Sequence, residues 1–263
     1  MTVRTNLTFL DHLRIQGRVI WALVMREMIT RFGREGLGML WMMAEPAMFV
    51  VGVMAIFSHT ETNATYSVAE YLAVSYPTIL FWRNTTGRIV KAIEVNRALL
   101  HHKPIRPIDI IYARIILEFA GATASFLVLY SVFVIIGICQ LPADILTMIL
   151  GYFLVVWFSF NFVMIMGALS ELSETIERIS HVILYLMLPF CGVFIPTYLV
   201  PGKAGHMLSF FPLVTAVEYF RHGYYGARMP AIYQMGPTLI MLSFLTLFAL
   251  AITKIAIRRV QLN

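Results

Sequence analysis

The sequence predicts an all-α membrane protein with six transmembrane helices. It adds an N-terminal amphipathic helix in the membrane interface and short re-entrant helices between spans five and six. Three observations carry this. First, 59% of the 263 residues are hydrophobic and 13% are charged, where an ordinary soluble domain is about 25% charged. Second, apolar runs occur at 37–58, 71–93, 108–138, 144–169, 177–195 and 233–257, each long enough to cross a core of about 30 Å. Third, Lys and Arg are distributed unevenly: six before the first span, seven in 83–114, one in 170–182 and three at the C-terminal end, with none in 58–70 or 138–144 and three in 196–232. The positive-inside rule then predicts both termini in the cytoplasm. The excess of 20 basic over 14 acidic residues is read as this orientation signal and not as nucleic-acid binding.

Residues 8–36 interleave Arg14, Arg18, Arg26, Arg31 and Arg34 with Leu10, Leu13, Ile20, Leu23, Val24 and Met28. Such a stretch is too polar to span. It reads as an interface helix, its apolar side in the acyl boundary and its Arg side toward headgroups. MTVRTNLTFLDHLRIQ holds no apolar run followed by a small-residue cleavage site, so no signal peptide is expected.

The second run is interrupted by charge. At about 100° per residue, Arg83, Asn84, Gly87, Arg88, Lys91 and Glu94 share an arc of about 140°. A helix entering from outside near Tyr71 carries Arg83 to about 18 Å along its axis, close to the bilayer middle. A charge there is costly unless it faces a cavity or a partner. One reading is a basic stripe lining a translocation pathway, suited to a phosphate or an acidic polymer. The other is a displaced helix whose cations snorkel to inner-leaflet headgroups.

Between spans two and three, NRALLHHKPIRPID (96–109) gathers basic residues and two prolines, a cytoplasmic loop on the charge rule. In the third run Arg114 and Glu118 stand at i and i+4, the spacing of an intrahelical ion pair. Glu171, Glu174 and Glu177 read as a solvated face. The segment 196–232 is semi-apolar and broken by Pro196, Pro201, Pro212 and Pro230. Broken backbone at membrane depth is tolerated only against protein or a watery cavity, which points to short re-entrant helices. Trp41, Phe49, Phe57, Phe194, Tyr198, Tyr219 and Phe220 either stack on sugar faces along a channel or form an interfacial belt.

No catalytic or metal-ligand constellation is present. Cys139 and Cys191 are isolated, His101 and His102 diverge on a helix, and GKAGH (202–206) lacks P-loop spacing. No cofactor is therefore expected on this chain.

RFGREGLGMLWMMAEP (31–46), GRIVKAIEVNRALLHHKPIRPIDIIYAR (87–114) and FFPLVTAVEYFRHGYYG (210–226) together resemble ABC-2 type permeases for polysaccharide export. In size and detail they are most similar to the capsular branch of Gram-negative bacteria. Phe211 stands where many relatives have Asn before the Pro. The resemblance covers nearly the whole chain and implies a type V exporter-like fold: a homodimer in the bacterial inner membrane, paired with two cytosolic ATPases that hold ATP and Mg2+. It implies a lipid-linked polysaccharide as cargo, with periplasmic and outer-membrane capsule export proteins continuing the route. It also implies that 96–106 is a coupling helix and 196–226 a periplasmic gate. On these expectations Arg97, His101, Lys103 and Arg106 meet the ATPase. Arg83, Asn84, Arg88, Lys91, Phe49 and Trp41 line the substrate path, and Phe194, Tyr198, Glu218, Tyr219 and Arg221 form the gate. The alternatives are an O-antigen or teichoic-acid exporter, a drug or lipid exporter of the same class, or an ion-coupled secondary transporter.

Overall fold

A computed structural model describes residues 8–33, 44, 47–53, 55–56, 66–101 and 105–262. Most of the predicted first span, with Trp41, lies outside these residues, as does Lys103; His101 is described in its backbone alone. The described residues form seven principal helices: α1 (Phe9–Phe32), α2 (Val68–Ile89), α3 (Pro107–Ile135), α4 (Ile145–Leu172), α5 (Glu174–Met187), α6 (Pro212–Tyr225) and α7 (Met235–Leu262). Among them, three are long and apolar enough to cross a membrane: Pro107–Ile135, Ile145–Leu172 and Met235–Arg259.

Local chemistry sets the helix ends. Thr8 caps α1, with Asp11 accepting from the Thr8 backbone N–H. Ser67 Oγ accepts from Glu70 N at the start of α2, and Asp144 Oδ1 accepts from Leu146 and Thr147 N at the start of α4. Pro107 and Pro212 open α3 and α6, where the missing N–H costs nothing. The helical part of the predicted fifth span is shorter than the apolar run. The 14-residue helix begins at Glu174, before the run, and stops at Met187, because Pro189 has no N–H to continue the ladder and Gly192 turns the chain at φ +73°.

The centre of the fold is α4, which packs against α6, α7 and α2; α2 lies in turn on α3, and α3 on α1. In a bilayer the lipid tails are as apolar as the core, so helices associate through close packing and interhelical hydrogen bonds. Both devices occur here. A Cβ on Gly223 would stand 2.2 Å from Met148 N, and one on Gly151 would stand 2.4 Å from Phe220 N, so α4 and α6 touch backbone to backbone. Between α4 and α7, Trp157 Nε1 and Asn161 Nδ2 both donate to Thr246 Oγ1, at 2.9 and 3.0 Å.

The placement of α1 differs from the expectation. Ile20, Leu23 and Val24 pack on Ile110, Ala113 and Leu117 of α3, not on lipid. Phe9, Leu10, Leu13 and Trp21 form the exposed apolar part, and Arg14 and Arg18 are exposed with them. Phe9 and Leu13 lie on the same side of α1 as Ile20, so one apolar side is covered by α3 at Ile20, Leu23 and Val24 and exposed nearer the N-terminus.

Candidate functional site: a polar cavity along α2

The cations of α2 are confined to its last two turns, and its one acid, Glu70, stands at the opposite end. Above them α2 is buried on nearly every side, and Thr78, Thr85 and Thr86 return their hydroxyls to backbone carbonyls three or four residues earlier. These three hydroxyls are thereby satisfied in the apolar surroundings, while Ser75 Oγ and Trp82 Nε1 of the same helix have no partner among the described residues. Arg83, Asn84, Gly87 and Arg88 then open onto a cavity of about 200 Å3, whose opposite wall is His181, Leu184 and Tyr185 of α5. The predicted stripe and a real cavity therefore coincide for Arg83, Asn84 and Arg88. Arg83 Nη1 donates to Tyr76 Oη at 3.1 Å, and Arg88 Nη1 donates to Glu118 Oε1 at 3.1 Å. The Arg88 side chain keeps 41% of its surface exposed while Glu118 keeps 3%. The carboxylate thus balances and orients the cation without entering the cavity lining.

Lys91 is not among the lining residues. The helix ends at Ile89, and Lys91 adopts φ +53°, the left-handed region. Its N–H donates to Ser170 Oγ at 3.2 Å, and its ammonium lies 2.6 Å from Glu94 and 4.0 Å from Glu177. A uniform wheel through residue 94 presupposes an unbroken helix, and the break places Lys91 and Glu94 at the junction of α4 and α5. Likewise Arg114 and Glu118 have partners on other elements: Arg114 reaches Glu27 at 3.4 Å and the Arg88 carbonyl at 2.5 Å.

From the cavity an aromatic chain runs along α2. Tyr76, bonded to Arg83, stacks on Phe49 with ring centroids 4.0 Å apart. Phe194 meets Phe49 at 6.2 Å and Tyr76 at 6.4 Å. Phe49 and Phe194 are thereby brought together by Tyr76, which sequence reasoning had not singled out. Tyr198 pairs with Tyr66 through their hydroxyls at 2.5 Å, while Tyr219 faces Tyr233 at 5.1 Å, away from Phe194.

Glu218 and Arg221 form an ion pair at 2.5 Å with neither side chain exposed. Arg221 Nη1 also donates to the Gly192 carbonyl at 2.6 Å and to the Tyr71 hydroxyl, and its guanidinium lies over the Tyr71 ring. Glu218 Oε1 accepts from Thr197 N at 2.9 Å and Thr197 Oγ1 at 2.8 Å. One ion pair thus ties α6 to α2 and to the irregular 192–197 segment. Beside it, Glu70 accepts from Tyr224 Oη at 2.9 Å and Arg228 Nη1 at 3.1 Å. The Glu70–Arg228 contact was also unforeseen, although an acid at the edge of an apolar run is a readable signal.

Apart from Arg228 and Tyr233, these residues fall inside one stretch of recognisable descent: residues 18–225 match the family of ABC-2 type transporters. The chain belongs to the ABC-2 type transporter family. It is 34% identical over 221 residues to the capsule polysaccharide export inner-membrane protein BexB of Haemophilus influenzae, covering 83% of each chain. It is 35% identical over 222 residues to CtrC, the capsule polysaccharide export inner-membrane protein of Neisseria meningitidis serogroup B, covering 84% of each. A more distant relative is the polysialic acid transport protein KpsM of Escherichia coli, 27% identical over 240 residues, with 90% of this chain and 92% of that one covered.

In this ABC-2 chain the basic segment after α2 is a tethered turn, with Ala92, Ile93 and Asn96 buried and Glu94, Arg97 and Ala98 exposed. A helical turn, Ala92–Val95, is followed by a 3-10 helix, Arg97–His101. Glu171 Oε1 accepts from Ile93 N at 2.8 Å and Glu94 N at 3.4 Å, and Asn96 accepts from Arg26 Nη1 at 3.2 Å. Arg97 and Arg106 are exposed on the outer side of this tether.

Proposed function

We infer that this chain is the permease subunit of an ATP-driven exporter that moves a lipid-linked capsular polysaccharide across the bacterial inner membrane. Support comes above all from the match to capsule export inner-membrane proteins over 83–84% of both chains. The subunit crosses the membrane six times with both termini cytoplasmic, works as a homodimer, and takes its energy from two cytosolic ATPase subunits that bind ATP and Mg2+. Periplasmic and outer-membrane capsule proteins receive the cargo.

The geometry supplies a route from ATPase to cavity. Arg97, His101, Lys103 and Arg106 form the docking face. Displacement of the Ala92–Val95 turn acts on the α4–α5 junction through Ser170 and Glu171, and on α1 through Asn96 and Arg26. The two walls of the cavity, α2 and α5, both end at that junction, so a push there changes their separation. Arg83, Asn84 and Arg88 meet anionic groups of the cargo. The cluster of Glu218 and Arg221 holds the outer segment, 196–226, as the periplasmic gate, with Phe194, Tyr198 and Tyr219 around it.

Complementation tests this reading. A strain lacking its capsule permease and keeping the cognate ATPase should regain surface polysaccharide when this chain is produced with its own ATPase. Polymer that stays inside the cell while the complex assembles would refute it.

A further inference from the structure

The geometry points to a single phosphoryl group as the ligand of the cavity between α2 and α5, with His181 and Tyr185 as the residues that select it; this deepens the transport reading and rests on it. Neither residue belongs to a motif, and neither stood out in the sequence. The cavity, about 200 Å3, is smaller than the roughly 300–1,000 Å3 of a pocket that encloses a drug-sized molecule. It holds one group and not a run of polymer.

The lining decides which group. Donors stand on two facing walls: Arg83, Asn84 and Arg88 on α2, His181 and Tyr185 on α5. His181 and Tyr185 are four residues apart on a helix, so they lie one above the other on the same face. A planar carboxylate is satisfied by one guanidinium through two parallel N–H bonds. A tetrahedral phosphoryl group has more oxygens than a carboxylate and directs them toward both walls at once, which matches donors spread over α2 and α5. No Asp or Glu is among the lining residues, and the nearest acid partner, Glu118, comes from α3 and is held by Arg88. A cavity of about 460 Å3 between α4 and α7 is lined by apolar side chains, including Phe158, Phe211 and Phe244. It offers such a ligand no donor.

The test uses the full-length protein in nanodiscs of phosphatidylcholine. Thermal unfolding is followed while inorganic phosphate, sulfate, glucuronate or dihexanoyl phosphatidic acid is titrated at constant ionic strength. Phosphate and sulfate should raise the midpoint saturably and glucuronate should not. His181→Ala should weaken apparent phosphate affinity about tenfold, the scale of one lost charge-assisted hydrogen bond. Tyr185→Phe, which keeps the ring, should weaken it by a smaller factor if His181→Ala proves too unstable to titrate. Tighter binding of the short-chain lipid than of phosphate assigns the group to a lipid headgroup, and equal binding assigns it to a phosphoryl group of other origin. Either result supports the site. No saturable response, an equal response to glucuronate, or unchanged affinity in both variants would overturn it. Restored export without phosphate binding removes this inference alone. Phosphate binding without restored export counts against the transport reading and leaves the site standing.

Discussion

Replacing Arg221 by Met tests whether the Glu218–Arg221 pair holds α6 in place. Arg221 supplies three contacts: Glu218 at 2.5 Å, the Gly192 carbonyl at 2.6 Å and the Tyr71 hydroxyl. Methionine fills much of the space and supplies none of them. Glu218 then keeps Thr197 N and Thr197 Oγ1 as donors to one oxygen, while its other oxygen, Oε2, has no donor among the described residues. Breaking a buried pair in this way costs about 3–5 kcal/mol, because an uncompensated charge stays inside. At roughly 2–4 °C per kcal/mol for a chain of this size, the melting point should fall by about 6–20 °C. The assay is thermal unfolding of the purified protein in one fixed detergent. The double variant Glu218→Gln, Arg221→Met separates charge from packing, since a Gln oxygen still accepts from Thr197 and nothing charged is left unpaired. It should recover most of the loss. An Arg221→Met protein melting within about 2 °C of the parent, well below the change expected from a buried pair, would refute the ion-pair account. A double variant no more stable than Arg221→Met would show that side-chain volume, not charge, carries the cost.

Three other outcomes follow from particular contacts. Gly223→Ala places a Cβ 2.2 Å from Met148 N, where only the α4 or α6 backbone can yield; it should cost at least about 1–3 kcal/mol in the same assay, whereas Gly236→Ala, with nothing within 4 Å, should not destabilise. Hydrogen bonds from the Thr8 hydroxyl and backbone N–H hold the Asp11 carboxyl below its ordinary value of 3.8. A depressed folded pKa makes the cap's contribution complete above that ordinary value and lost as pH falls through the folded one; amide exchange in the first turn of α1 should therefore quicken under acid in the parent and lose that dependence in Asp11→Asn. Charge reversal at the exposed Arg97 and Arg106 should release or uncouple the ATPase subunit without moving the melting point; intact coupling, read as polymer-dependent ATP hydrolysis, would count against docking there.

Composition and charge placement were enough to read a helical membrane chain, and the basic arc of α2 was legible as far as Arg88. Legibility ended where distant residues decide local geometry. A left-handed residue is ordinarily announced by Gly or Asn; at position 91 it is a lysine, and no residue between 88 and 96 signals a break. Ser170 and Glu171 accept from the N–H groups of Lys91, Ile93 and Glu94 at that joint. The same holds for Arg114 and Glu118, whose i, i+4 spacing conceals partners on α1 and α2. The stripe that the sequence runs from Arg83 through Lys91 to Glu94 is thus divided between two units. The first is a rigid helix whose cations face a cavity. The second is a turn pinned to the α4–α5 junction. Because α4 supplies the groups that accept from the turn's N–H donors, a displacement of the turn either breaks those bonds or carries the end of α4 along with it. Each such bond is worth about 0.5–1.5 kcal/mol net, and the three together favour the second course. A junction made by tertiary contact therefore joins the 92–95 turn to the end of α4 through Ser170 and Glu171, beside the start of the α5 wall of the cavity.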